Sequence, residues 1–306
     1  MSEFSAVELQ RVIGSGLLVF PVTHATTELE FDEAAYREHV AHLSSFAPAG
    51  IFAAGGMGEF FSITPGEVSA ATQAARAEAS LGIPVLGAAG YGTAMAVQMA
   101  QRAESDGADG ILLFPPYLTE VSQRGLYEHV ARVCASTSIG VIVYHRANAR
   151  YSLGTLSRLA ANYDNFIGFK DGIGEFELIT ALRAEIGDRL LYTGGLPTAE
   201  MHARAFAEIG MQTYSSAIFN FAPHWALDFY KAVKNHDSAV LDAMTKSFLL
   251  PYVEIRDREQ GYAVAIVKAG LTIVGHPAGP VRPPLADLTP NDFQDLTTLI
   301  EVEEIS

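Results

Sequence analysis

Lysine is scarce in this chain, and one of its five copies stands where an ammonium group is hard to tolerate. Lys170 ends the run Phe166-Ile167-Gly168-Phe169-Lys170, which reads as a buried strand, whereas Lys231, Lys234, Lys246 and Lys268 fall in helical segments. A lysine so placed is costly unless its charge is paired or its proton is lost. Loss of the proton is what an amine needs to attack a ketone, so Lys170 is the leading candidate nucleophile; pairing with Asp171 is the alternative. Tyr144 closes the preceding apolar run, Gly140–Tyr144, and is expected beside Lys170, where a phenol can carry protons to and from a carbinolamine. Gly55-Gly56-Met57-Gly58-Glu59 follows another apolar run. A loop so rich in glycine either converges backbone N–H groups on an anion, here a carboxylate, or makes a tight turn that needs positive φ.

These residues share one placement. Short apolar runs recur at Gly16–Phe20, Gly50–Ala54, Pro84–Ala89, Gly110–Phe114, Gly140–Tyr144, Phe166–Phe169, Leu190–Tyr192 and Gln212–Ile218, each followed by a helical stretch. Parallel strands need such crossovers, and eight repeats in about 220 residues fit a closed (β/α)8 TIM barrel of the α/β class. The chemistry then belongs at the C-terminal strand ends. Thr64-Pro65-Gly66-Glu67 carries the signature of a helix start, and Gly107 and Gly187 read as helix stops. After Phe219 the strands cease. The expectation is a barrel over residues 1–222, with 223–306 as a C-terminal helical extension packed on it as one structural unit.

Composition removes several function classes. Of 306 residues 49% are hydrophobic, and the formal net charge is −15, so the chain reads as globular. No cluster of lysine and arginine offers a nucleic-acid footprint, although an anionic substrate remains compatible with an acidic protein. No apolar window reaches membrane-spanning length and the N-terminus lacks a basic, apolar leader, so neither membrane nor export is expected. The single cysteine, Cys134, reads as a small core residue and points to a reducing, cytoplasmic setting. The nine histidines form no metal-binding spacing, and His39 with His42 reads as a helix surface pair, so no metal is expected. The dinucleotide fingerprint is absent after the first run, and Ser215 and Ser216 lack a nucleophile-elbow context.

Taken together, Gly55–Glu59, Tyr144 and Lys170 resemble the dihydrodipicolinate synthase and N-acetylneuraminate lyase superfamily of Schiff-base barrels, over essentially the whole chain. Longer runs are similar to one branch, the 5-dehydro-4-deoxyglucarate dehydratases. They are Gly168–Gly172, Tyr192–Glu200, Thr213–Ala217, Gln260–Val264 and Gly279–Pro284. The resemblance implies a cofactor-free dehydrating decarboxylase of glucarate catabolism acting on a small-molecule 2-oxo sugar acid, and a homo-oligomer, tetramer or dimer. It implies Lys170 as the imine-forming residue and Tyr144 as the proton carrier, with Gly56 and Met57 holding the carboxylate beside the ketone. Gly195, Ser216 and Asn220 are implied in the pocket, and Arg146 toward the distal carboxylate. Leu118 and Gly56 stand where the synthases carry a tyrosine and a hydroxyl residue, which favours the dehydratase branch. Met57 stands where the family has Thr or Ser, and His145 where the branch has Asn. These two positions keep open a Schiff-base lyase or aldolase on another 2-oxo acid, and a non-catalytic barrel.

Overall fold

The computed structural model describes residues 3–305. Eight parallel strands close on themselves in sequence order: β1 (Leu18–Val19), β2 (Gly50–Phe52), β3 (Val85–Ala89), β4 (Gly110–Leu113), β5 (Gly140–His145), β6 (Phe166–Asp171), β7 (Leu191–Gly194) and β8 (Thr213–Ser216). Each expected run contributes one strand, and β1 pairs with β8 to complete the barrel.

A helix precedes the barrel, α1 (Ala6–Ile13), and one follows each of the first seven strands: α2 (Glu33–Ser44), α3 (Pro65–Glu78), α4 (Thr93–Ser105), α5 (Gln123–Cys134), α6 (Leu153–Asn162), α7 (Phe176–Ile186) and α8 (Glu200–Glu208). After β8 come α9 (Pro223–Lys234), α10 (Ser238–Met244), a π-helical turn over Thr245–Leu249, α11 (Leu250–Arg256), α12 (Tyr262–Ile273) and α13 (Pro290–Val302). The α3 start is as its sequence signals: the Thr64 hydroxyl accepts from Glu67 N–H at 3.2 Å and the Glu67 carboxylate accepts from Thr64 N–H at 2.8 Å. Gly107 and Gly187 both adopt positive φ past their helix ends, at 86° and 56°.

Helix α1 lies outside the eight expected repeats. It covers the N-terminal end of the barrel, with Leu9 against Gly110 and Gly140 and Ile13 against Gly50, so three strands begin with glycine where the helix lies on them. At the other side of β8, α9 completes the outer ring: it packs on α8, and its His224 meets Phe46, just past α2, at 5.0 Å between rings. Helix α12 is apolar almost all round and buried from Val264 to Leu271, pressed between the barrel rim and α13. Cys134 is buried at the end of α5, its thiol pushed up to about 12 by burial, which suits a core residue. No helix of the described residues is long and apolar enough to cross a membrane.

Candidate active site

The register of β5 on β6 sets Tyr144 directly beside Lys170 and His145 beside Asp171. Side chains alternate along a strand, so the first pair faces the barrel interior and the second faces the helices. Asp171 spends its carboxylate on the N–H groups of Ile173 and Gly174, at 2.9–3.1 Å. His145 accepts from Tyr151 N–H at 3.1 Å and meets Glu175 at 3.2 Å. Lys170 is therefore not paired with Asp171.

The side chains in contact with the Lys170 ammonium are uncharged. Its Nζ donates to Ser215 Oγ at 3.0 Å and lies 3.9 Å from the centre of the Phe20 ring and 4.8 Å from that of Tyr144. No carboxylate of the described residues pairs with it. Burial first, and the nearby Arg146 charge second, hold its ammonium well below the ordinary lysine range. At the floor of an open cavity, a lysine disfavoured as an ammonium has what a nucleophilic amine needs.

Tyr144 is buried beside it and fully engaged. Its hydroxyl donates to the Gly195 carbonyl at 2.7 Å and accepts from Arg146 Nη1 at 2.9 Å. Burial raises its phenol, and the Arg146 charge pulls in the opposite direction. Two glycines leave room for the pair. A Cβ on Gly195 would lie 2.4 Å from Lys170 Cε, and one on Gly172 would lie 2.6 Å from the Tyr144 ring. No larger residue fits at either place without moving them.

A cavity of about 530 Å3 opens above these groups, bordered by Lys170, Tyr144, Arg146, Gly195 and the Gly56-Met57 edge of the glycine loop. The loop's positive φ values fall on Ala54 and Glu59, at 51° and 56°, and not on its glycines. Gly55 and Gly58 are needed for close packing, with Cβ positions 2.5 Å from Phe20 and 2.9 Å from Ala54. Gly56 faces open space. Among the described residues no acceptor meets the N–H groups of Gly56 or Met57, which leaves two donors free at the cavity edge.

The loop is held from the far end of the chain. Buried Glu59 forms an ion pair with Lys268 of α12 at 2.7 Å and accepts from Arg282 N–H at 2.8 Å. Lys268 also donates to the Pro280 carbonyl at 2.8 Å. The Arg282 guanidinium meets Glu67 at 2.6 Å. Gly279–Pro284, one of the runs similar to the dehydratase branch, thus has a physical role together with α12: the two anchor the glycine loop.

Not every expected residue reaches the cavity. Ser216 borders it, but its hydroxyl turns away to donate to buried Glu200 and to accept from Phe219 N–H at 3.1 Å. Asn220 stands outside the cavity because its amide is fully spent: Oδ1 accepts from Val22 N–H at 3.0 Å and meets His39 Nε2 at 3.1 Å. Its Nδ2 donates to the carbonyls of Phe20 and Ala217. It ties β8 to the end of β1 and so fixes Phe20 under Lys170. His39 is buried with Asn220 and not on the surface; its place in the stripe Tyr36, Val40, Leu43 carries that signal. Burial and the neighbouring His24 depress it to about 3. Ser215 stands in the Thr213–Ala217 run, but neither it nor Phe20 carries a signal for contact with Lys170; only the closure of β8 onto β1 brings them there. Among the described residues no cluster of three His, Cys, Asp or Glu side chains could hold a metal ion.

A closed parallel barrel thus gathers at its open end a buried lysine whose ammonium is disfavoured, a tyrosine and free backbone donors. The dihydrodipicolinate synthetase family model matches residues 14–303, and the chain belongs to that family. It is 54% identical over 301 residues to a Saccharopolyspora erythraea protein named probable 5-dehydro-4-deoxyglucarate dehydratase, covering 98% of this chain and 97% of the relative. A protein of the same name from Xanthomonas campestris pv. campestris is 56% identical over 299 residues, covering 98% of each. Among solved structures, dihydrodipicolinate synthase from Oceanobacillus iheyensis superposes with a TM-score of 0.88 at 20% identity, over 97% of this chain and 100% of that one. The synthase from Bacillus clausii gives 0.88 at 22% identity, over 97% and 99%. At those identities the structural likeness speaks for the fold.

Proposed function

We propose that this protein is a decarboxylating 5-dehydro-4-deoxyglucarate dehydratase that works through an imine on Lys170. The observation that carries the substrate is the identity of 54–56% over nearly the full length to proteins of that name. The chemistry follows from the site. The Lys170 amine attacks the substrate ketone, and Tyr144 protonates the departing carbinolamine oxygen. The free N–H groups of Gly56 and Met57 receive the carboxylate next to the ketone, and the exposed Arg146 offers its remaining N–H groups to the distal carboxylate.

The protonated imine acidifies the adjacent carbon. Loss of that proton gives an enamine, which expels the β-hydroxyl as water and leaves a conjugated imine. The electrons released as carbon dioxide departs then flow into this imine. Hydrolysis frees 2,5-dioxopentanoate and the amine. No cofactor is required, since the imine is the electron sink, and we read the enzyme as cytoplasmic and homo-oligomeric.

The test is carbon dioxide release from 5-dehydro-4-deoxyglucarate, with sodium borohydride trapping and peptide mapping of the adduct. An adduct on Lys170 lacking the elements of water and carbon dioxide is expected. An absence of gas release at high enzyme concentration refutes the reading. The Met57 thioether at the cavity edge, where the family has a hydroxyl, favours a lyase on another 2-oxo acid as the second reading; pyruvate formation from sugar acids would select it.

A further inference from the structure

The Tyr144 phenol has to both give and take a proton, and burial suits it poorly to the second of these. Once it has donated, a phenolate is left in a cavity where charge is expensive. The groups facing it are few. Lys170 comes from β6, with its Nζ near the ring; as the protonated imine it is a cation, but it gives up that charge when the enamine forms. Asp171, also on β6, opposes a negative charge on Tyr144 from a distance. Gly195 presents a carbonyl, which repels a phenolate. The remaining partner is Arg146, two residues along the chain, with Nη1 2.9 Å from the phenolic oxygen and its guanidinium 5.6 Å from the ring centre. No carboxylate of the described residues competes for it.

From this geometry we infer that Arg146 is a positioning residue that turns Tyr144 from an acid into a base, by stabilising the phenolate between two proton transfers. This rests on the imine chemistry proposed above and adds a role to the one Arg146 has toward the distal carboxylate. In the first transfer the Tyr144 proton goes to the carbinolamine oxygen. The C–O bond breaks with its electron pair on oxygen, water leaves, and the nitrogen lone pair forms the protonated imine. In the second, the phenolate takes the proton from the adjacent carbon. The C–H electrons become the enamine double bond, and the imine π pair returns to nitrogen. Phenol and guanidinium end as they began. The downward pull of Arg146 on the phenol, against the effect of burial, agrees with this role.

Pyruvate separates the two roles of Arg146, because it has the ketone and its adjacent carboxylate but no distal one. The measurement is exchange of pyruvate methyl protons into deuterium oxide, followed by NMR, in the wild type and in Arg146→Met, Arg146→Lys, Tyr144→Phe and Tyr144→Phe/Arg146→Met. Arg146→Met is expected to slow exchange about ten- to a hundredfold, the span of one hydrogen bond to a charged group. Its rise in rate with pH moves to higher pH, and Arg146→Lys recovers part of the loss. The double variant should be no slower than Tyr144→Phe, because Arg146 acts through Tyr144. Unchanged exchange in Arg146→Met, or losses that multiply in the double variant, overturns the inference while leaving the imine chemistry standing. A wild type that neither exchanges nor forms a borohydride adduct overturns both.

Discussion

Glu59 and Lys268 meet as a buried ion pair, 2.7 Å apart, that joins the loop after the second strand to a helix near the end of the chain. Burial lowers the Lys268 ammonium more than the Glu59 charge restores it, so the pair is held by its surroundings as well as by attraction. Removing one partner strands the other charge in the core. Lys268→Met should cost about 3–5 kcal/mol in urea unfolding. It should also raise KM, since Glu59 sits two residues from the Met57 donor. Adding Glu59→Gln should return part of the stability; if the two losses simply add, the pair is not coupled.

Gly195→Ala tests how tightly Lys170 is packed. The new methyl would meet Lys170 Cε at 2.4 Å, and the carbonyl of the same residue receives the Tyr144 hydroxyl. Borohydride adduct formation should fall about a hundredfold, the loss expected when reacting atoms are displaced by about 1 Å. Gly56→Ala serves as the contrast, for it meets no atom within 4 Å and should leave the adduct intact.

Asn220→Ala should act on stability and not on substrate affinity. The amide satisfies Val22 N–H, the Phe20 and Ala217 carbonyls and His39 at once. Its loss leaves several buried polar groups unpaired, at a cost of about 3 kcal/mol or more. A thermal melt and a KM determination on the same preparation check this: a large rise in KM with an unchanged melt would place Asn220 on the substrate after all.

Glu200 gives the protein a pH dependence of known sign. Burial pushes its carboxyl from 4.5 up to about 7, against the Ser216 hydrogen bond and the Arg256 charge. The folded state thus holds this proton more tightly than the unfolded chain. The contribution is complete below pH 4.5 and is lost as pH rises to about 7, a span of about 3 kcal/mol. Glu200→Gln should remove that fall, so its stability relative to the wild type should improve from pH 4.5 to pH 8. Parallel curves for the two proteins across that range would refute the assignment.

The barrel is legible because eight apolar runs at regular spacing leave few alternatives, and Lys170 because a strand is an unusual place for a lysine. Helix α1 has its own signal, Ser5 with Glu8 three residues on and Leu9 and Ile13 one turn apart, but a stretch this short ahead of the first strand stands outside the repeat pattern. That Ser215 and Phe20 touch Lys170, and that Glu59 pairs with Lys268, is not legible in the sequence. Each depends on chain ends brought together by barrel closure or by the packing of α12, and local pattern does not encode such contacts. Ser216 ends β8 and Asn220 lies in the turn after it, yet alternation points the first away from the cavity and full hydrogen bonding holds the second outside it.

Gly56 holds the most room for change in the site. It borders the cavity, its backbone needs no left-handed conformation, and the direction its side chain would take is clear. Most residues around Lys170 are locked by one another, so a change at any of them disturbs the amine before it alters the guest. At position 56 a single codon change would plant a hydroxyl or a methyl at the cavity edge and leave the barrel untouched. Changes of cavity shape at position 56 are thus open to the chain one substitution at a time, with the fold kept throughout.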